Sequence, residues 1–290
     1  LRAAGCIFIR QTYKLYSDRD HATWQLLFNR MQEPWARYAN ERFLEGLECL
    51  KLRNDSVPRL DEVNAFLAPR TGFHAQAVSG CVPPFALFEC LRHRKFPTAI
   101  TVRNANSLDF LPEPDIFHDV AGHVPMHADP AFAEALVAFG NCAHTAAELG
   151  NRIRDPAERI RRLTSIVKAM MRFFWFTIES GLMRYGNNLK VYGSALLSSA
   201  GEIERAVASP QVQRSDIHLD WVIHQSFQVD HYQPLLFVVE SFDHLYELTG
   251  TLEKWMREGR LDHVARGEPE VTPADLDSFL QASGTRRSSH

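Results

Sequence analysis

A mainly α-helical fold with a minor β-sheet is what this 290-residue sequence predicts. Three observations carry that reading. Apolar residues recur at three- and four-residue spacing over most of the chain, helix-start and helix-stop residues punctuate those segments, and only two short apolar runs have the length of strands. With 45% hydrophobic residues the chain can bury a sizeable core. No repeat, low-complexity tract or linker divides it, so one domain over 1–265 is expected. A polar tail over 266–290, rich in Gly, Ser, Pro and charge, would follow.

Trp24, Leu27, Phe28, Met31 and Trp35 mark the first amphipathic helix, and Phe43, Leu44 and Leu47 mark the second. A short helix holding Val63, Phe66 and Leu67 closes at Thr71-Gly72, where glycine supplies the stop. Pro83-Pro84 opens another that runs to about Arg94. The strand candidates are Thr98 to Val102 and Leu235 to Val239. Pro112, Pro114 and Asp115 form a helix start, because proline is tolerated in a first turn and Asp suits its positive end. That helix carries Ile116 to about Gly122. Two longer helices follow near Pro130 to Leu149 and Pro156 to Leu182, the second with Ile160, Leu163, Val167, Met170 and Phe174 on one side.

Net charge is -3, the pI is near 6.5, and basic residues are interspersed with acids, which excludes a footprint for nucleic acid or anionic membrane. A small-molecule partner is expected. The five cysteines (Cys6, Cys49, Cys81, Cys90, Cys142) are odd in number and far apart, with no CxxC pair, as in reduced thiols of a cytoplasmic protein. No apolar run is long enough to span a bilayer and no signal-peptide core opens the chain, so a cytoplasmic location is expected.

The densest chemistry lies in Glu113-Pro114-Asp115-Ile116-Phe117-His118-Asp119-Val120-Ala121-Gly122-His123-Val124-Pro125. On an ideal helix, five residues leave His118 and His123 roughly 140° apart, too divergent to share a metal. The expectation is therefore that the helix ends between them, with Gly122 as the stop and Pro125 biasing Val124 out of the helical region. Glu179 lies deep in the apolar run Phe173-Phe174-Trp175-Phe176-Thr177-Ile178, where an unpaired charge is costly, so it needs a cation. Two imidazoles and a carboxylate suit Fe(II) with open positions for oxygen and a co-substrate. Zinc is the competing metal, with Asp119 as the base of a hydrolase, but such sites use four-residue His spacing on an uninterrupted helix. A non-catalytic helical interaction protein that keeps the triad for stability is the third reading.

The stretch Pro112 to Pro125 resembles the signature of the tetrahydropterin-dependent aromatic amino acid hydroxylases, in particular the compact bacterial phenylalanine hydroxylases. Further matching blocks are Arg70-Thr71-Gly72-Phe73, Trp175 to Leu182, Tyr192-Gly193 through Leu196-Leu197-Ser198-Ser199 to Gly201-Glu202, and Gln233-Pro234-Leu235 with Glu240-Ser241-Phe242, in family order over about 22–250. The resemblance implies a mostly helical catalytic domain, Fe(II), tetrahydrobiopterin or a related tetrahydropterin, and O2 as co-substrate. It also implies an amino acid substrate and, without the family's tetramerising helix, a monomer.

Residue by residue, the resemblance makes Arg103 the clamp for the substrate carboxylate, Ser198 a substrate-side serine near the metal and Trp175 a wall of the ring pocket. Gly80, Cys81 and Val82 match a loop that binds the pterin ring through backbone groups, and Asp119 would reach it through water. The family's stacking phenylalanine falls by ungapped counting on Leu87, with Phe88 adjacent as the candidate and Phe85 two before. Asp115, three residues before His118, is expected to accept a hydrogen bond from that imidazole, the alternative being a plain N-cap. Ser180 stands where the family usually has phenylalanine and Ala195 where it usually has glycine. Both changes reshape the ring seat, so the expected reaction is hydroxylation of L-phenylalanine with a lean toward meta-tyrosine over para-tyrosine. Tryptophan and tyrosine are the alternative substrates.

Overall fold

The computed structural model describes residues 7–106, 108, 113–229 and 231–264. Helix α1 (Asp18–Tyr38) starts at Ser17, whose hydroxyl accepts from the Asp20 backbone N–H while the Asp20 carboxylate accepts from the Ser17 N–H. This reciprocal cap satisfies donors that a helix start leaves free. Helices α2 (Glu41–Leu50) and α3 (Leu60–Thr71) follow, and α3 ends on Gly72 at φ 73°, the left-handed conformation that the Thr71-Gly72 stop predicts.

Strands β1 (His74–Val78) and β2 (Lys95–Ala99) flank α4 (Pro84–Arg92) and pair in parallel, with Val78 opposite Ala99. The strand expected over 98–102 is therefore shifted toward the N-terminus. Its partner ends at Val78, and beyond Ala99 the backbone turns to other uses: the Thr101 carbonyl accepts from the Ile116 N–H. A π-helical segment, Phe117–His123, then runs directly into the short α5 (Val124–His127).

Helices α6 (Pro130–Arg152) and α7 (Pro156–Phe174) each begin with proline, and the side chains of Asp129 and Asp155 cap them. Helix α7 continues into a second π-helical turn, Trp175–Glu179. Helices α8 (Ser194–Leu197), α9 (Ala200–Ala208), α10 (Leu219–Val222) and α11 (Phe242–Arg257) follow, and a 3-10 turn, Tyr13–Leu15, precedes α1. Among them run β3 (Leu182–Tyr185), β4 (Asn188–Val191), β5 (Gln213–Asp216) and β6 (Leu235–Val239), in sheet order β4-β3-β6-β5. Strands β3 and β4 are antiparallel, and β6 runs parallel to β3 and β5.

The core centres on α6, which packs against α4, α7 and α11 through Phe132, Phe139 and Phe173, all fully buried. Ile160, expected on the inner side of α7, is 40% exposed, so the apolar stripe begins at Leu163. Among the described residues no helix is long and apolar enough to cross a membrane. The tail expected over 266–290, and Pro112 of the expected helix start, lie outside the described residues.

Candidate active site

The two histidines come together by a route that differs from the expected helix break. Val124 has φ -57° and ψ -39°, and Pro125 sits in the first turn of α5, so the backbone stays helical through His123. The π winding brings the rings into one place. With i→i+5 hydrogen bonds there are more than four residues per turn, so a five-residue step is little more than one full turn. The ring centroids of His118 and His123 lie 4.9 Å apart with planes at 89°. A second π-helical turn, in which the Ser180 N–H donates to the Trp175 carbonyl at 2.9 Å, presents Glu179 opposite them. Glu179 Oε2 is 3.5 Å from His118 Nε2, and its Oε1 is 3.4 Å from His123 Nε2.

Burial pushes the pKa of His118 down to about 4, outweighing the opposite pull of Glu179, so the ring is neutral near pH 7 and keeps a lone pair for a metal. Burial would raise the Glu179 carboxyl, but His123, His118 and the Ser194 hydroxyl at 2.7 Å outweigh it and hold the pKa at about 2. Asp119 also lies close, its Oδ1 3.9 Å from His118 Nε2, and one ligand atom each from His118, Asp119 and His123 falls within 4.8 Å. Its Oδ2, however, accepts the Ala99 backbone N–H at 2.6 Å, and burial pushes its pKa well above the carboxylate range. Glu179 is nearer to both rings and ionised, and so makes the better third ligand. Two imidazoles and one carboxylate converging beside a cavity fit a divalent cation with open coordination positions.

Asp115 supports His118 differently from expectation. Its Oδ1 accepts the His118 backbone N–H at 2.9 Å, while the His118 Nδ1 is 2.9 Å from the Ser198 hydroxyl. The correction has a geometric cause: a carboxylate one turn before His118 caps that turn, and the ring leans away toward α8 and its end at Ser198. Both Asp115 oxygens also hold Arg103, at 2.8 Å to Nη2 and 3.0 Å to Nε, with a third bond from the Arg103 backbone N–H. Arg103 Nη1 donates to the Leu108 carbonyl. Guanidinium has five N–H donors, so two of them, on Nη1 and Nη2, have no hydrogen-bond partner among the described residues.

A cavity of about 260 Å³ opens beside the triad. Of the residues expected to bind substrate, Arg103, Trp175, Ser180, Ala195 and Ser198 all line it, together with His118 and Glu179. The Trp175 indole stacks on Phe227, with ring centroids 4.7 Å apart and planes at 9°. Cys81 lines the cavity wall, and a Cβ on Gly80 would lie 3.5 Å from Glu113 Oε2, so that loop borders the cavity; Val82 does not line it. Phe88 is a correction: it is fully buried between Phe139 and Phe174 in the core, and Leu87 faces the cavity instead. One helical position, about 100°, separates the two faces of α4. Asp119 is buried behind the triad and does not line the cavity.

Residue-type reasoning missed Phe227 and Val229, which reach the cavity from the long connection between α10 and β6. No periodic signal marks that connection. Glu202, quoted only as part of a motif, also lines the cavity, and burial pushes its pKa up to about 7.

Residues 12–258 match the sequence model of a family described as biopterin-dependent aromatic amino acid hydroxylase. Phenylalanine-4-hydroxylase of Ralstonia nicotianae is 33% identical over 241 residues, which is 83% of this chain and 72% of that protein. Phenylalanine-4-hydroxylase of Chromobacterium violaceum is 33% identical over 261 residues, 90% of this chain and 83% of that protein. A crystal structure of the Chromobacterium violaceum enzyme with bound iron(III) and oxidised cofactor 7,8-dihydrobiopterin superposes with a TM-score of 0.77 at 30% identity, covering 92% of this chain and 91% of that one.

Proposed function

The chain belongs to the biopterin-dependent aromatic amino acid hydroxylases, and we propose that it hydroxylates the ring of L-phenylalanine, with His118, His123 and Glu179 holding Fe(II) and a tetrahydropterin and O2 as co-substrates. The observation that carries this reading is the convergence of two imidazole Nε2 atoms on one partly buried carboxylate beside a cavity that also holds Arg103 and Trp175. When bound, iron and pterin supply the oxygen chemistry. The chain's own residues bind, orient and seal.

Glu179 stays ionised throughout the physiological range and His118 stays neutral, so the set offers one negative charge to a dication and leaves charge for oxygen ligands. Ser198 fixes the His118 ring by its bond to Nδ1, which directs the Nε2 lone pair at the metal position. Arg103, braced along one edge by Asp115, receives the substrate carboxylate on its remaining Nη donors. Trp175, held flat by Phe227, forms a wall for the aromatic ring. Leu87, Met171, Phe174 and Leu196 add apolar wall beside it and help exclude water. The loop around Gly80 and Cys81 borders the same cavity and is the place for the pterin. A zinc hydrolase would need an accessible base, and Asp119, buried and bound to the Ala99 N–H, is not one.

Ring position follows from the pose over the metal. Ser180 and Ala195 both line the cavity, and their combination of a lost aromatic wall and an added methyl shifts the ring toward its meta carbon. Neighbouring ring carbons are about 1.4 Å apart, and a misplacement of about 1 Å already matters in catalytic geometry. A second reading, para-tyrosine, is favoured by relatives that are phenylalanine-4-hydroxylases. Chromatography of the product from L-phenylalanine against both tyrosine standards separates the two. Meta-tyrosine that shifts to para in a Ser180→Phe, Ala195→Gly double variant is the expected outcome. Para-tyrosine alone in the wild type removes the meta reading, and no tyrosine of either kind removes the substrate.

A further inference from the structure

His127, the last residue of α5, is fully buried, and neither of its ring nitrogens has a hydrogen-bond partner among the described residues. Its surroundings are mostly aromatic: the ring centroids of Phe96, Phe73 and Phe132 lie at 4.5, 5.3 and 6.1 Å. A phenylalanine would fill such a slot without leaving a polar group unpaired, so an imidazole there costs free energy unless it makes a bond. The polar ring beside it is His123, with centroids 5.6 Å apart. His123 turns Nε2 toward Glu179, and its buried Nδ1 likewise has no partner among the described residues.

These two deficits are complementary. A histidine that ligates through Nε2 carries its proton on Nδ1, and that N–H normally meets an acceptor that fixes the ring and raises its basicity. Ser198 stands at this position for His118. We propose that His127 is the positioning residue for His123, accepting the Nδ1 proton on a ring nitrogen either directly or through one buried water. A direct N–H···N bond between imidazoles needs ring centroids roughly 5 Å apart, so a small rotation of the His127 ring or a single bridging water spans the gap. The two iron-binding histidines would then be anchored asymmetrically, one by a hydroxyl at the cavity wall and one by an imidazole sealed in the core.

This rests on His123 being a metal ligand, and the test separates the two ideas. Fe(II) affinity is measured anaerobically by competition with a chelator, and the thermal midpoint of the metal-free protein is measured alongside, for wild type, His127→Phe and His127→Gln. His127→Phe should keep or raise the metal-free midpoint, because it removes a buried polar ring, yet weaken Fe(II) binding by about ten- to a hundredfold. His127→Gln, which retains an acceptor, should recover most of the affinity. Wild-type affinity in His127→Phe would overturn the inference, whereas absence of Fe(II) binding by the wild type would overturn the metal reading itself. A second readout needs no variant. In wild-type protein loaded with Zn(II) and labelled with ¹⁵N-histidine, the His123 Nδ1–H should give a slowly exchanging signal coupled or spatially close to His127; a rapidly exchanging one contradicts the bond.

Discussion

His118 Nδ1 pairs with Ser198 while Asp115 grips Arg103, so removing the two side chains should affect different measurements. Ser198→Ala is expected to weaken Fe(II) binding by about ten- to a hundredfold, as loss of a ligand's hydrogen-bond partner does. Asp115→Asn should mainly raise the KM for the amino acid, because it loosens the guanidinium that receives the carboxylate. Metal titration and steady-state kinetics on both variants check the separation, and equal effects on both quantities would contradict it. Glu202 makes a pH prediction. Its folded pKa, about 7, is raised above the unfolded value of 4.5 by burial, so the folded state holds its proton more tightly. That contribution is fully present below pH 4.5 and is lost as pH rises toward 7, on the order of 3 kcal/mol. Glu202→Gln should flatten the fall, as denaturant midpoints between pH 5 and 8 would show. The triad, Arg103 and Trp175 are legible in the sequence because their chemistry and motif context single them out. Leu87 against Phe88, and Ser198 against Asp115, are not, because each choice turns on a side-chain direction that residue type leaves open.

The longer helices up to α7 are legible from apolar spacing and from their proline or glycine punctuation. Helices α8 to α11 escape that reading, α8 and α10 being only four residues long, and α7 with its π-helical turn stops at Glu179, short of the expected Leu182, which opens β3. Four of the six described strands are not legible either: β1, β3, β4 and β5 are four or five residues long, and β5 has no buried residue, so no alternation marks them. The two π-helical turns escape for a related reason, since a search at 3.6 residues per turn reads five-residue His spacing as divergence. Those turns are held by close backbone approach. A Cβ on Gly193 would come within 2.3 Å of the Gly181 N and 2.6 Å of the Glu179 carbonyl oxygen. Gly193→Ala must therefore push α8 away from the Glu179 turn, with an expected cost of about 1–3 kcal/mol and weakened metal binding. Gly250, on α11, is different: a Cβ there would meet nothing within 4 Å, so Gly250→Ala should instead stabilise by about 0.5–1 kcal/mol. Thermal and denaturant unfolding of both variants test the contrast; a neutral Gly193→Ala would mean the turns tolerate separation.

At the scale of the molecule, the metal position joins segments far apart in the chain: one π-helical turn from residues 117–123, another from 175–179, and the support of Ser194 and Ser198. A cation bound there ties them together, and binding to the folded state alone stabilises by mass action, about 2.7 kcal/mol at a free concentration a hundred times Kd. Loading with Fe(II) should raise the unfolding midpoint and chelation should lower it, with no response in Glu179→Ala. In the proposed site Glu179, and not the neighbouring Asp119, completes the metal position with His118 and His123. Iron bound per chain, by elemental analysis after anaerobic loading and desalting, tests it most directly in Glu179→Ala and Asp119→Ala beside the wild type. Near-stoichiometric iron is expected in the wild type and in Asp119→Ala and almost none in Glu179→Ala; full iron in Glu179→Ala, or its loss in Asp119→Ala alone, would show that Asp119 takes that place.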